Sequence, residues 1–365
     1  MRPIVRKLLL LVVLLLGCAN IICAQSFLDE PQTLWPVIAD HFVGLSSEEG
    51  SANVQKQIDR YLRDPKYIHR VSENARPYLY YIYQETKKYH LPAELALLPM
   101  IESDYKPHCY SSAGAVGLWQ LMPDTAHGYG VQMNSWYDGR RSTTVSTKVA
   151  LTFLSYLYEQ FHHNWLLTLA AYDSGPGTVM AAIRYNKERN RPTNFWSLPL
   201  PKETKAYVPK LLAMAAIVEH PNTYGIRLAK IPNQPIASTV TIQKQMKITT
   251  IAHLANTSVS TVKTLNPALK TSTTPPHQKI TLMLPINKKT KFTQPTKTQI
   301  KTPRKENHWE PSTLKHGNDT SSAYIVQPGD NLHTLAEHHH TTTAALIQKN
   351  HLHTSVLQVG QHLVL

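Results

Sequence analysis

Apolar positions along residues 25–235 recur mostly at the three- and four-residue spacing of helices, and few stretches alternate in the manner of strands. Val54 to Tyr67, Ala75 to Tyr89, Thr147 to His162 and Thr204 to Glu219 each mix apolar and charged residues in this way, which predicts four helices. Pro92 is placed to open a further helix at its first turn. The ten residues after it are almost all apolar, so that helix is expected to be buried, with Glu102 at its end. Arg191-Pro-Thr and Leu198-Pro-Leu-Pro201 punctuate the chain as a loop. After about residue 235 Thr, Val, Ile and Pro become more frequent. Ser238–Ile242 reads as a short strand, Thr249–Ala255 and Val259–Leu265 as helices, and Ile280–Leu284 as a closing strand. The same strand–helix–helix–strand order returns in 323–365, with strands at Tyr324–Val326 and Leu363–Leu365 and helices at Leu332–Glu337 and Ala344–Lys349. The two stretches read as a weak internal repeat.

Six segments follow from these shifts: 1–24, a signal segment; 25–90, an N-terminal helical region; 91–235, the helical stretch that carries the candidate chemistry; 236–286, the first small unit; 287–322, a linker; and 323–365, the second unit. The linker holds eight Lys or Arg, three Asp or Glu and few large apolar groups. Such a stretch cannot bury enough surface to offset its ordering entropy. In the first segment Arg2, Arg6 and Lys7 precede the apolar run Leu8–Leu16, and small residues follow, which is the layout of a secretory signal. The run is too short for a membrane span. Two cleavage readings stand side by side. Leu15-Leu16-Gly17-Cys18 resembles a lipobox, which would make Cys18 a lipidated N-terminus and an outer-membrane anchor. A cut after Ala24 would instead leave Gln25 first. Either implies export to the periplasm.

The chain carries 38 Lys and Arg against 24 Asp and Glu, a formal net charge of +14. That balance favours an anionic partner. No zinc-finger, RRM or basic-helix signature points to nucleic acid. Of three cysteines two lie in the signal segment, so Cys109 is left without a disulfide partner and the fold must hold by packing. His338–His340, with His333, His351 and His353 nearby, invite a metal reading, but a zinc site needs convergent geometry and the chain is rich in histidine throughout, with 19, so neither metal nor cofactor is expected.

The richest stretch for chemistry is 91–124. A carboxylate at the end of an apolar run loses solvation, which raises its pKa and lets it hold a proton near neutrality. The glycines of Gly114-Ala-Val-Gly117-Leu118-Trp119-Gln120 permit close approach of backbone to a ligand. Trp119 offers a flat face for a sugar ring, and Gln120 offers amide donors and an acceptor.

Here the sequence resembles a known family. Glu102-Ser103, the Gly-x-x-Gly-Leu-Trp-Gln loop and Ala171-Tyr172-x-x-Gly175 resemble the lytic transglycosylases of the goose-type lysozyme superfamily. Pro99, Phe195-Trp-Ser-Leu-Pro-Leu-Pro201 and Glu203-Thr-x-x-Tyr207-Val-Pro209 are similar to the membrane-bound lytic murein transglycosylase D branch. The resemblance implies a mainly α, lysozyme-like catalytic domain acting on peptidoglycan glycan strands at the β-1,4 bond between N-acetylmuramic acid and N-acetylglucosamine. It implies Glu102 as acid and then base, closing a 1,6-anhydro ring, with Tyr207 hydrogen-bonding near the acid and Ser111, Gly117, Gln120, Tyr172 and Asp173 shaping or facing the substrate. Position 173 departs from the family, which has Asn there. A like charge beside Glu102 would raise its pKa further, or steer water and permit hydrolysis. A hydrolytic muramidase and a non-catalytic wall-binding protein therefore stay open as alternatives. Residues 323–365, with Gly329, Asp330, Asn331, Leu332 and Asn350, resemble a βααβ LysM module, which implies binding of N-acetylglucosamine-containing glycans. The 236–286 copy lacks the Gly-Asp turn and resembles a degenerate LysM, either a binder or a spacer. A monomer is expected.

Overall fold

The computed structural model describes residues 33–45, 52–286, 323–326, 335, 339, 346, 349–350 and 361–364. The signal segment with Cys18, the linker 287–322 and Gly329, Asp330, Asn331 and Leu332 lie outside the described residues.

The larger body is helical: α1 (Leu34–Ala39), α2 (Ala52–Leu62), α3 (Pro65–Ala75), α4 (Leu79–Lys88), a 3-10 turn (Ala93–Leu97), α5 (Leu98–Glu102), α6 (Pro123–Gly128), α7 (Thr143–Gln160), α8 (Trp165–Ser174), α9 (Pro176–Lys187) and α10 (Lys202–Glu219). The helix expected over Val54–Tyr67 is two helices. Asp64 stops the first and caps the second, accepting from Tyr67 N at 3.1 Å, and Pro65 takes the first-turn position. The buried run after Pro92 is also divided. Pro99 has no N–H to donate back to Leu95, so a 3-10 turn precedes α5 rather than one continuous helix. Ser142 and Asn164 cap α7 and α8.

Helix α10 is the central strut. Nearly every residue from Tyr207 to Val218 is buried, and it packs on α1, α2 and α8. A helix apolar on every side belongs inside. Leu212 is fully buried there, and truncating such a leucine to alanine costs about 2–5 kcal/mol. A satellite cluster of Ile68, Ile217 and Ile226 extends the core.

The first small unit has β1 (Ala237–Ile242) paired antiparallel with β2 (Ile280–Pro285), in register from Ala237↔Pro285 to Ile242↔Ile280. Helices α11 (Ile248–Leu254) and α12 (Val259–Leu265) lie between them in sequence. In the last stretch β3 (Ala323–Ile325) pairs antiparallel with β4 (His362–Val364). One device recurs in both units. Asn266 Nδ2 donates to Val262 O and Met283 O while its Oδ1 accepts from Met283 N. Asn350 Nδ2 donates to Leu346 O and Val364 O while its Oδ1 accepts from Val364 N. Each amide ties a helix end to the closing strand.

Candidate active site

Glu102 is the last residue of α5 and is only half-buried, between the apolar core and the loop that follows. Tyr207 on α10 donates its phenolic O–H to Glu102 Oε1. Burial pushes the Glu102 carboxyl from its ordinary 4.5 up to about 8; the Tyr207 bond and Lys210 oppose the rise, while Asp173 and Glu203 add to it. The C-terminal end of a helix also disfavours negative charge. Tyr207 itself is held protonated, by burial first and then by the neighbouring carboxyl. The arrangement stores a proton on a carboxyl near neutral pH and fixes the direction of that carboxyl with one phenol.

The loop after α5 is anchored from several sides. Ser103 Oγ donates to Leu118 O at 2.9 Å, joining the end of the helix to the loop. Asp104 and Tyr105 reverse the chain with φ of 52° and 57°. Ser111 accepts at its hydroxyl from Ala115 N at 3.0 Å and closes the turn that contains Gly114. Gln120 Nε2 donates to Gly117 O at 2.9 Å, so its amide nitrogen stabilises the loop itself. Tyr172 on α8 donates to Trp119 O at 2.9 Å. Gly117 has φ +87°, and a Cβ there would lie 2.2 Å from Arg140 O; the close approach this glycine permits is to protein backbone.

Asp173 is next to Tyr172 and half-buried. Burial raises its carboxyl, a side-chain hydrogen bond with Thr204 at the start of α10 lowers it, and Glu203 and Lys210 act in opposite directions. A second carboxyl therefore lies within electrostatic reach of Glu102.

Two readings of the sequence need correction. Trp119 does not offer a sugar platform: it is fully buried, with Nε1 donating to Thr147 Oγ1 at 2.9 Å, because the apolar residues around it enclose the ring. Asn350 has both ends of its amide engaged in the clamp between Leu346 and Val364, so the fold occupies the groups a glycan would need. Sequence reasoning also missed the strap at Asp138–Arg141. Asp138 pairs with Arg140 at 2.9 Å, and Arg140 Nη1 donates to Gly114 O at 3.0 Å. Opposite charges flanking a glycine in Asp138-Gly-Arg140-Arg141 are the only local signal. Glu94, fully buried, was another omission: its Oε1 accepts from the backbone N–H groups of Val43, Gly44 and Leu45 and pins the N-terminal loop.

A helical body with a Glu able to hold a proton at the end of a buried helix, followed by a glycine loop, is an arrangement suited to acid–base cleavage of a glycosidic bond, and the match to the transglycosylase SLT domain makes the class that of the lytic transglycosylases. The family profiles agree: residues 80–195 match the transglycosylase SLT domain, 237–299 the LysM-like domain of lytic transglycosylase MltD, and 324–365 the LysM domain. The chain is 37% identical over 335 residues to membrane-bound lytic murein transglycosylase D of Escherichia coli K12, covering 91% of this chain and 72% of that protein. The chain belongs to the membrane-bound lytic murein transglycosylase D family. It is also 34% identical over 125 residues to the soluble lytic murein transglycosylase of Salmonella typhimurium, covering 33% of this chain and 19% of that one. The 70 kDa soluble lytic transglycosylase of Escherichia coli aligns with a TM-score of 0.31 at 21% identity, over 51% of this chain and 33% of that one.

Proposed function

We propose that this enzyme cleaves the β-1,4 bond between N-acetylmuramic acid and N-acetylglucosamine in peptidoglycan and leaves 1,6-anhydro ends. The observation that carries the reading is the Tyr207–Glu102 pair, whose carboxyl burial raises to about 8. Protonated Glu102 gives its proton to the glycosidic oxygen as the C1–O bond breaks. The resulting carboxylate takes the proton of the muramyl C6 hydroxyl as that oxygen bonds to C1. The proton count closes on Glu102, and the substrate's own hydroxyl stands where a water would act in a two-carboxylate glycosidase.

Ser111, Gly117, Gln120 and Tyr172 hold the loop that faces the sugar, and Asp173 tunes Glu102. Gly329, Asp330, Asn331 and Leu332 of the 323–365 unit are assigned to glycan binding. A secretory start and a family relative named membrane-bound support a periplasmic enzyme anchored by lipid on Cys18, acting as a monomer. Asp173 favours a second reading, hydrolysis, because a carboxylate beside the acid can orient water.

Digesting purified peptidoglycan with wild type and with Glu102→Gln, and weighing the muropeptides, separates the readings. Products one water lighter than hydrolytic ones and inert to borohydride, from wild type alone, are expected. Reducible products would overturn the transglycosylase chemistry in favour of hydrolysis, and activity in Glu102→Gln would remove Glu102 from its role.

A further inference from the structure

The 237–285 unit is joined to the helical body by more than a peptide tether. Tyr137 of the helical body and Leu269 of the unit form an antiparallel bridge. On either side of it Asp138 N donates to Ala268 O at 3.0 Å and Lys270 N donates to Trp136 O at 2.9 Å. Lys270 Nζ reaches Asn134 O at 2.8 Å, and Tyr78 OH reaches Thr264 O at 3.1 Å. The Tyr137 ring is buried in the unit's own core with Ile248, Ile251 and Leu284, and Trp136 packs against the same cluster. Folding of the unit and placement of the strap 133–142 are thus one packing problem.

From the strap, bonds run on to the catalytic loop. Asp138 receives Arg140 N, Nε and Nη2, and both side chains are nearly buried, at 11 and 12 % exposed, where the pairing is little screened. Arg140 Nη1 then holds Gly114 O, and the Arg140 carbonyl sits against Gly117, whose own carbonyl accepts from Gln120 Nε2. Hydrogen bonds thus run from Ala268 of the unit to Gly114, and the close approach of the Arg140 carbonyl to Gly117 carries the contact on to the Gly117–Gln120 end of the loop.

We propose that Asp138 and Arg140 are positioning residues for glycan cleavage, and that the docked 237–285 unit acts as a brace for the Gly114–Gln120 loop. The proposal rests on the assignment of Glu102 and that loop to the reaction. In this role the unit sets turnover, whereas a binding module raises local substrate concentration and acts on apparent affinity.

The test uses the full chain on soluble, uncrosslinked glycan strands, with kcat and KM measured for wild type, Arg140→Met, Arg140→Lys, Leu269→Ser and the Arg140→Met/Leu269→Ser double variant. Loss of loop placement is expected to lower kcat of Arg140→Met about tenfold or more, with KM changed less than about threefold. Arg140→Lys keeps the charge but not the fork that reaches both Asp138 and Gly114, so its kcat should fall in between. It also keeps the test decisive if Arg140→Met melts below the assay temperature. Leu269→Ser should lower kcat in the same direction, and the double variant should be no worse than the poorer single one, since both break one path. Wild-type kcat in the Arg140 variants, a loss confined to KM, or effects of the two sites that multiply would overturn the proposal. Glu102→Gln run alongside separates the two levels: its retaining turnover would strike the site assignment, while an inert Glu102→Gln with fully active Arg140 variants would strike the brace alone.

Discussion

Glu102 is a carboxyl that folding makes reluctant to ionise, and two measurements follow from that. Between its ordinary value of 4.5 and about 8, the folded protein keeps a proton that the unfolded chain releases. The stability contributed by this group is therefore complete below 4.5 and is lost as pH rises through about 8. Glu102→Gln removes the liability, so its melting temperature should exceed that of wild type at pH 8 and meet it near pH 4, read by calorimetry. In the proposed mechanism this proton is also the one delivered to the glycosidic oxygen, so kcat/KM should fall as pH rises through about 8. Asp173 contributes to holding that pKa up, and Asp173→Asn should move the alkaline limb to lower pH. An unmoved limb would take Asp173 out of the site's electrostatics. Tyr207→Phe removes the phenol that orients the carboxyl while keeping the ring in the core; a kcat loss of about tenfold or more is expected, with the melting temperature little changed.

At the scale of elements, the loop between α5 and α6 depends on a backbone that only glycine tolerates at position 117. A Cβ there meets the Arg140 carbonyl at 2.2 Å, and φ is +87°. Gly117→Ala should cost about 1–3 kcal/mol in strain and displace the loop from Arg140, measured as a lower melting temperature together with lower turnover. The loop's register was partly legible: the glycines, Gln120 and Tyr172 stood out in the sequence. The part played by Trp119 was not, because exposure of an aromatic ring depends on what packs over it. The ring is closed off, with its indole N–H bonded to Thr147, a residue 28 positions away that no local pattern joins to it. Asn266 and Asn350 show the same limit. A repeat in sequence marked both units, yet only the backbone partners on the closing strands reveal the clamp they share.

For the whole molecule, the two small units have different relations to the helical body. The first shares a core with Trp136 and Tyr137. The last follows a stretch of 36 residues whose composition favours a solvated tether, 287–322. With 287–322 read as a tether and 323–365 as a glycan-binding module, a chain ending at residue 286 should keep wild-type kcat on soluble glycan strands and lose about tenfold or more in retention on purified cell walls, measured by co-sedimentation. Equal retention would show that binding resides in the helical body.

The sequence by itself determined the mainly helical class, the strand–helix–helix–strand order of the first small unit, the Glu at the end of a buried run and the ordered motifs that imply a lytic transglycosylase. These are local properties: periodicity, residue type and spacing are written in consecutive positions. Pro65, with Asp64 before it, was a local stop signal that the single helix expected over Val54–Tyr67 passed over, and Pro99 divided the buried run into a 3-10 turn and a short helix. The resemblance placed Tyr207 near the acid; only the tertiary structure decided which carboxyl oxygen it meets across 105 positions, that Trp119 is enclosed, and that Asp138 and Arg140 stand between the first small unit and the Gly114–Gln120 loop. Each of these depends on the packing of segments far apart in the chain, where burial and partner are set by the folded whole and leave no periodic trace in the sequence.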